Sequence, residues 1–118
     1  MILAIVGSRS FSNYESLCNT IDPMKDKITK IVSGGAKGAD RLAEKYAKDN
    51  GIPFEVYLPL FKKNKSMSYD PKHFFERNKE IIDNSNFVIA FWDKISKGTK
   101  HTIDYAHKRK KPCKVVLF

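Results

Sequence analysis

Cysteine is scarce in this sequence, and its placement is not organised. Cys18 and Cys113 are the only two, far apart and without CxxC spacing. Neither a disulfide framework nor a zinc site can be built from them, and both read as buried thiols in a reducing compartment. Histidine is as sparse. His73, His101 and His107 lack ligand spacing, so no metal is expected. No Ser/His/Asp or Cys/His arrangement stands out, which removes the familiar activated nucleophiles. No run approaches the ~20 apolar residues that span a bilayer. The apolar start, Met1 to Gly7, has no basic leader and runs straight into a turn; it reads as a first strand and not as a signal peptide. The expectation is a cytoplasmic protein with no membrane partner. Acidic residues are also in deficit, 13 against 22 Lys+Arg, for a formal net charge of +9. The imbalance lies almost wholly beyond Leu58, in the clusters Lys62-Lys63-Asn64-Lys65 and Lys108-Arg109-Lys110-Lys111. Such a field draws in a phosphorylated ligand or a nucleic acid; the plain alternative is a solvated surface.

What the sequence does have is alternation. Ile2 to Val6 reads as a strand. Ser12 and Glu15 form an S-x-x-E capping pair opening a helix to about Ile21, where Pro23 breaks or restarts it. Ile28 to Ser33 holds a second strand. Asp40 to Asn50 reads as a helix with Leu42, Ala43, Tyr46 and Ala47 on one face and Gly51 as its stop. Phe54 to Leu58 is a third strand, followed by a basic irregular loop over 59–69. Asp70-Pro71 caps a helix carrying Phe74, Phe75, Asn78, Ile81 and Ile82. Phe87 to Phe91 is a fourth strand, a helix follows Thr99, and Val115 to Phe118 is the last strand. The pattern βαβαβαβαβ, with nearly continuous apolar strands, predicts a single Rossmann-like α/β domain over 1–118. Its sheet has five parallel strands with helices on both faces.

Three glycine-bearing turns follow predicted strands: Gly7-Ser8-Arg9-Ser10, Ser33-Gly34-Gly35-Ala36-Lys37-Gly38-Ala39-Asp40 and Ser96-Lys97-Gly98-Thr99. A turn between a parallel strand and a helix offers backbone N–H groups to an anion. Three of them point to a nucleotide-like ligand at the carboxyl edge of the sheet. Ser8 supplies a hydroxyl, and Arg9 a fork for a phosphate or carboxylate. Asp40, at a helix start, either caps that helix or accepts a ribose hydroxyl. Neither GxGxxG nor a Walker A loop is present, which disfavours the common dinucleotide and P-loop sites.

The elements GSRSF (7–11), SGGAKGADRLAEKYA (33–47), RNKEI (77–81), VIAFWD (88–93) and SKGT (96–99) resemble, in order and over nearly the whole chain, the YspA / cpYpsA-related branch of the SLOG superfamily. The resemblance implies a Rossmann-like fold and a ligand of nucleotide, ADP-ribose or cyclic ADP-ribose type, held by a sensor or a sequestering protein. The same superfamily includes the single-stranded-DNA binder DprA and the LOG phosphoribohydrolases. Against the LOG motif P-G-G-x-G-T-x-x-E, Thr102 stands where the catalytic glutamate belongs, while Arg77 matches the upstream arginine. Binding therefore outranks N-glycoside hydrolysis, with Asp40, Asp93 and Asp104 as the nearby carboxylates and Asp40 the one candidate acid/base group.

The expected ligand site comprises Gly7, Ser8, Arg9, Ser33, Gly34, Gly35, Ala36, Gly38, Asp40, Arg77, Asn78, Ser96, Gly98 and Thr99. Phosphates are expected on the amides of Gly34, Gly35, Gly98 and Thr99, with Arg9 and Arg77 as charge partners. The alternative for Arg77 is a surface arginine paired with Glu76 or Glu80, and its removal is expected to change stability little. No cofactor is implied. Trp92 is expected either to stack on a base or to pack, and Phe74 and Phe75 to serve core and interface. A homo-oligomer is expected; nucleic acid is not favoured as a partner.

Overall fold

Alternate side chains of a strand face opposite ways, so a strand apolar at every position needs cover on both sides. A computed structural model describes residues 1–118 and shows that cover. Strands β1 (Ile2–Gly7), β2 (Lys30–Gly34), β3 (Phe54–Tyr57), β4 (Phe87–Trp92) and β5 (Cys113–Leu117) form one parallel sheet in the order β3-β2-β1-β4-β5. Between them run helices α1 (Tyr14–Ile21), α2 (Ala39–Asp49), α3 (Leu60–Lys63), α4 (Lys72–Asp83) and α5 (Lys97–Lys108). Leu3 and Ile5 of β1 pack with Leu17 and Ile21 of α1 and with Ala43, Tyr46 and Ala47 of α2. Ala4 and Val6 face the other way, onto Ile81 and Ile82 of α4 and Ile103 and Ala106 of α5. The expected fold class is the observed one.

Boundaries differ where packing overrides local pattern. Ser12 does not cap α1. Phe11 is buried and stacks on Phe91 at 4.3 Å, which fixes how the chain leaves β1. The cap is therefore Asn13, whose Oδ1 accepts from the Ser16 amide at 3.0 Å. Pro23 does restart the chain, as a 3₁₀ turn over Asp22–Lys27, and Tyr46 Oη donates to Asp22 Oδ1 at 2.7 Å to hold it. Strand β5 begins two residues before the expected Val115, because Cys113 pairs opposite Val88 and an edge strand tolerates the exposed Lys114. The loop after β3 is not wholly irregular. It contains the single turn of α3, and Phe61, Tyr69, His73 and Phe74 gather into a small aromatic cluster with ring centroids 5.0 to 6.2 Å apart.

Strand order reverses between β1 and β4: the chain winds outward through β2 and β3, then crosses back. The turns after β1 and β4 consequently part to opposite faces and leave a crevice at the carboxyl edge.

Candidate functional site

The crevice is a cleft of about 550 Å³, within the range of small-ligand sites. Its walls come from the turn after β1 (Ser8, Arg9, Ser10), the turn after β4 and the start of α5 (Asp93, Ser96, Lys97, Gly98, Thr99), and Pro71 with the α4 residues Phe74, Phe75, Arg77 and Asn78. Val6, Gly7, Ala36, Asp40, Ile81 and Thr102 complete it.

Ten of the fourteen expected residues line this cleft: Gly7, Ser8, Arg9, Ala36, Asp40, Arg77, Asn78, Ser96, Gly98 and Thr99. The other four lie behind or beside it. Gly34 is buried at the end of β2, opposite Tyr57. Gly35 turns outward beside Leu58 and Val56. Gly38 has φ +76° and lies against the carbonyls of Ser8 and Arg9, which brings the α2 terminus onto the first turn. Ala39 N–H accordingly donates to the Ser8 carbonyl at 3.4 Å. Ser33 is fully buried, its Oγ 2.6 Å from the Ile5 carbonyl oxygen and 2.8 Å from Asp40 Oδ1.

The third turn is the open one. Ser96 is the residue before α5, and its side chain does not cap the helix. The amides of Lys97, Gly98 and Thr99 donate to no protein acceptor; the first amide of this helix to do so is Lys100, to the Ser96 carbonyl. A side chain at Gly98 would meet nothing within 4 Å. A helix start of this kind carries a partial positive charge.

Arg77 is not on the surface. It is 8% exposed and pairs with neither Glu76 nor Glu80; Glu80 instead meets Lys63 at 3.6 Å. Arg77 Nε donates to Asn78 Oδ1 at 2.9 Å and Nη1 to the Tyr57 carbonyl at 3.3 Å. It fits because Gly34 has no side chain: a Cβ there would stand 2.7 Å from Arg77 Nη1 and 2.8 Å from Asp40 Oδ2. Nη2 donates to no protein group, and the residue faces the cleft. The expectation that its removal changes stability little rested on an exposed ion pair, and that premise is corrected by its burial.

Asp40 does not cap the first turn of α2 in the usual sense. Its Oδ2 accepts from the Ala36 amide at 3.2 Å and so ties down the glycine loop. Burial pushes its pKa up, against the opposing influence of the Arg77 charge, the Ala36 amide and the Arg9 charge. Asp93 has the opposite environment. Its Oδ1 accepts from the amides of Ile95 and Ser96, at 2.9 and 2.8 Å, and its Oδ2 from the hydroxyls of Ser96 and Ser10. The two amides, Ser96 first, pull its pKa down to about 2. A lowered carboxylate contributes stability that is present above its unfolded value of ~3.9 and is lost as pH falls through its folded value. The 93–96 turn is thus expected to keep its amide-exchange protection until pH approaches about 2. A carboxyl titration midpoint near that of a free aspartate would contradict the geometry. Asp104, the third carboxylate considered, pairs with Lys100 outside the cleft.

Sequence reasoning missed Pro71, Phe74 and Phe75 as a cleft wall; the aromatic pair at the start of a helix beside RN was the available signal. Trp92 packs with the α4/α5 side of the core and donates Nε1–H to the Ser96 carbonyl at 3.1 Å, which holds the turn. The two basic clusters part company. Lys62, Lys63 and Lys65 sit in the loop leading to the cleft wall, whereas 108–111 lie at the far end of the 12-residue α5. There Arg109 pairs with Asp83 and Lys111 donates to the Ser85 carbonyl.

The model of the YspA, cpYpsA-related SLOG family matches residues 1–63, more than half of the chain, including the first two turns. The chain belongs to that family. No curated protein matches it. Among solved structures, it is similar to DNA processing protein A from Streptococcus pneumoniae, at 24% identity and a TM-score of 0.79, covering 96% of this chain and 49% of that one. It is also similar to DNA processing protein A from Helicobacter pylori, described for its single-stranded DNA binding mode. That match has 22% identity and a TM-score of 0.76, covering 98% of this chain and 64% of that one. This SLOG-family chain spans about half the length of the first and under two thirds of the second. At such identities the likeness concerns the Rossmann-like fold.

Proposed function

We propose that the cleft binds a phosphorylated, nucleotide-derived small molecule of nucleotide, ADP-ribose or cyclic ADP-ribose type, and that the protein acts as a sensor or sequesters that ligand. The observation that carries the reading is a convergence of unspent donors. The amides of Lys97, Gly98 and Thr99 and the Nη2 of Arg77 all border one cleft without a protein acceptor. A phosphate satisfies such a set, since its oxygens accept both charge-assisted and amide hydrogen bonds. Arg9 stands at the same cleft, and Phe74 and Phe75 offer aromatic faces to a base.

Binding is preferred to hydrolysis because Thr102 occupies the position the resemblance gives to a catalytic glutamate. Its hydroxyl donates to the Gly98 carbonyl at 3.0 Å, which leaves no acid there. A second reading is a single-stranded nucleic acid along the same edge. It draws on Lys62, Lys63 and Lys65 and on the DNA-processing neighbours.

Calorimetry with AMP and adenosine tests the first reading. AMP is expected to bind at least roughly a hundredfold more tightly, the weight of two or so charge-assisted bonds. Equal affinities would remove the phosphate argument. An oligothymidylate that binds with steep salt dependence while AMP does not would favour the second reading.

A further inference from the structure

Behind the cleft, one buried serine hydroxyl makes two short contacts. Ser33 Oγ is 2.6 Å from the Ile5 carbonyl oxygen and 2.8 Å from Asp40 Oδ1. Two oxygens approach this closely only with a proton between them; O–H···O bonds run about 2.5–3.0 Å. The two contacts therefore need two protons. The serine hydroxyl supplies one, the carbonyl none and an ionised aspartate none. Ser33 is fully buried and Asp40 nearly so, which leaves no solvent to soften the conflict. One assignment satisfies every contact: Asp40 Oδ1–H donates to Ser33 Oγ, and Ser33 Oγ–H donates to the Ile5 carbonyl. Asp40 Oδ2 then accepts from the Ala36 amide as an ordinary carbonyl oxygen.

We infer that Asp40 is held as a neutral carboxylic acid at neutral pH, and that its proton keeps the floor of the cleft cationic so that a phosphate can enter. The second half rests on the nucleotide reading above; the first half does not. The neighbouring charges fit. Arg77 from α4 and Arg9 from the turn after β1 are the charged groups that face Asp40. Arg77 Nη1 and Asp40 Oδ2 both border the small space over Gly34, yet the two side chains form no ion pair, and Nη2 donates to no protein group. An ionised Asp40 would claim that guanidinium and cancel its charge. Burial acts in the same direction, raising the Asp40 pKa. A raised carboxyl lends stability that is complete below its unfolded value and is lost as pH rises through its folded value. Anion affinity falls over that same upper range.

The test has two arms, both on the full chain. In the first, ¹³C-aspartate labelling follows the side-chain carboxyl carbons across pH, with Asp40→Asn assigning the resonance. Asn repeats the donor–acceptor pattern of the neutral acid, so this variant is expected to fold. The Asp40 signal is expected at the protonated position at pH 7, where exposed aspartates are ionised; an ionised signal there overturns the inference. In the second arm, AMP binding is measured by calorimetry from pH 7 to 9, above the phosphate's own titration near pH ~6. Wild-type affinity is expected to fall at least about tenfold over this range, and Asp40→Asn to show no such slope. A pH-independent wild-type affinity overturns the gating. An absence of AMP binding at every pH sinks the nucleotide reading and the gating with it, while the carbon signal still decides the proton.

Discussion

Gly38→Ala is expected to destabilise the protein by on the order of 4 kcal/mol, from a backbone strain of up to ~3 kcal/mol and a steric clash of similar size. Gly38 has φ +76° and ψ −126°, a region closed to residues with a Cβ. A Cβ would also stand 2.4 Å from the Ser8 carbonyl oxygen and 2.6 Å from that of Arg9, both backbone atoms with no rotamer to yield. The strain cannot relax locally, because Ala39 is buried and its amide is bonded to Ser8. Against a typical total of ~5–15 kcal/mol, the loss leaves a marginal fold. Urea denaturation should show a much lower midpoint at unchanged slope. Gly51→Ala is the control: φ is +64° but nothing lies within 4 Å, so a cost of only about 1 kcal/mol is expected. Similar costs at the two positions would mean that the contact between the first two turns is not as described.

Arg77→Ala is expected to move two quantities at once. Its loss frees the Tyr57 carbonyl and Asn78 Oδ1 and opens a hole above Gly34, for about 2–3 kcal/mol of stability. It also removes the buried charge that would meet a phosphate in the proposed site, for an expected loss of roughly 2 kcal/mol of binding, about a thirtyfold weaker affinity for AMP. Arg77→Lys separates the two effects: the charge persists, but the planar fork that reaches Tyr57 and the cleft together does not. Thermal unfolding and calorimetry on the same samples read both. A stable Arg77→Ala protein with wild-type AMP affinity would return Arg77 to a purely peripheral role.

Much of this is legible in the sequence. Apolar runs alternating with amphipathic segments dictate a parallel sheet, because strands apolar on both faces need helices on both sides. The glycine turns therefore had to gather at its carboxyl edge. Gly51 as a helix stop and Pro23 as a break follow from backbone chemistry alone, and the structure agrees at both. The family, too, was readable from GSR and SGGAKGAD, which fall inside the matched residues 1–63.

What tertiary structure alone decided is direction. Gly34, Gly35 and Gly38 are neighbours in one loop, yet the first makes room for Arg77, the second faces outward and the third holds two turns together. Spacing cannot distinguish these, since each depends on which strand or helix lies opposite. The same holds for Arg77. Its neighbours Glu76 and Glu80 suggest a surface pair, but α4 packs over the end of β2 and turns the guanidinium inward. Local sequence determines which backbone conformations are open and which face of an element is apolar. It does not determine which buried groups must share protons and charges, as Ser33, Asp40 and Arg77 do, because those contacts close only when elements distant in the chain pack together.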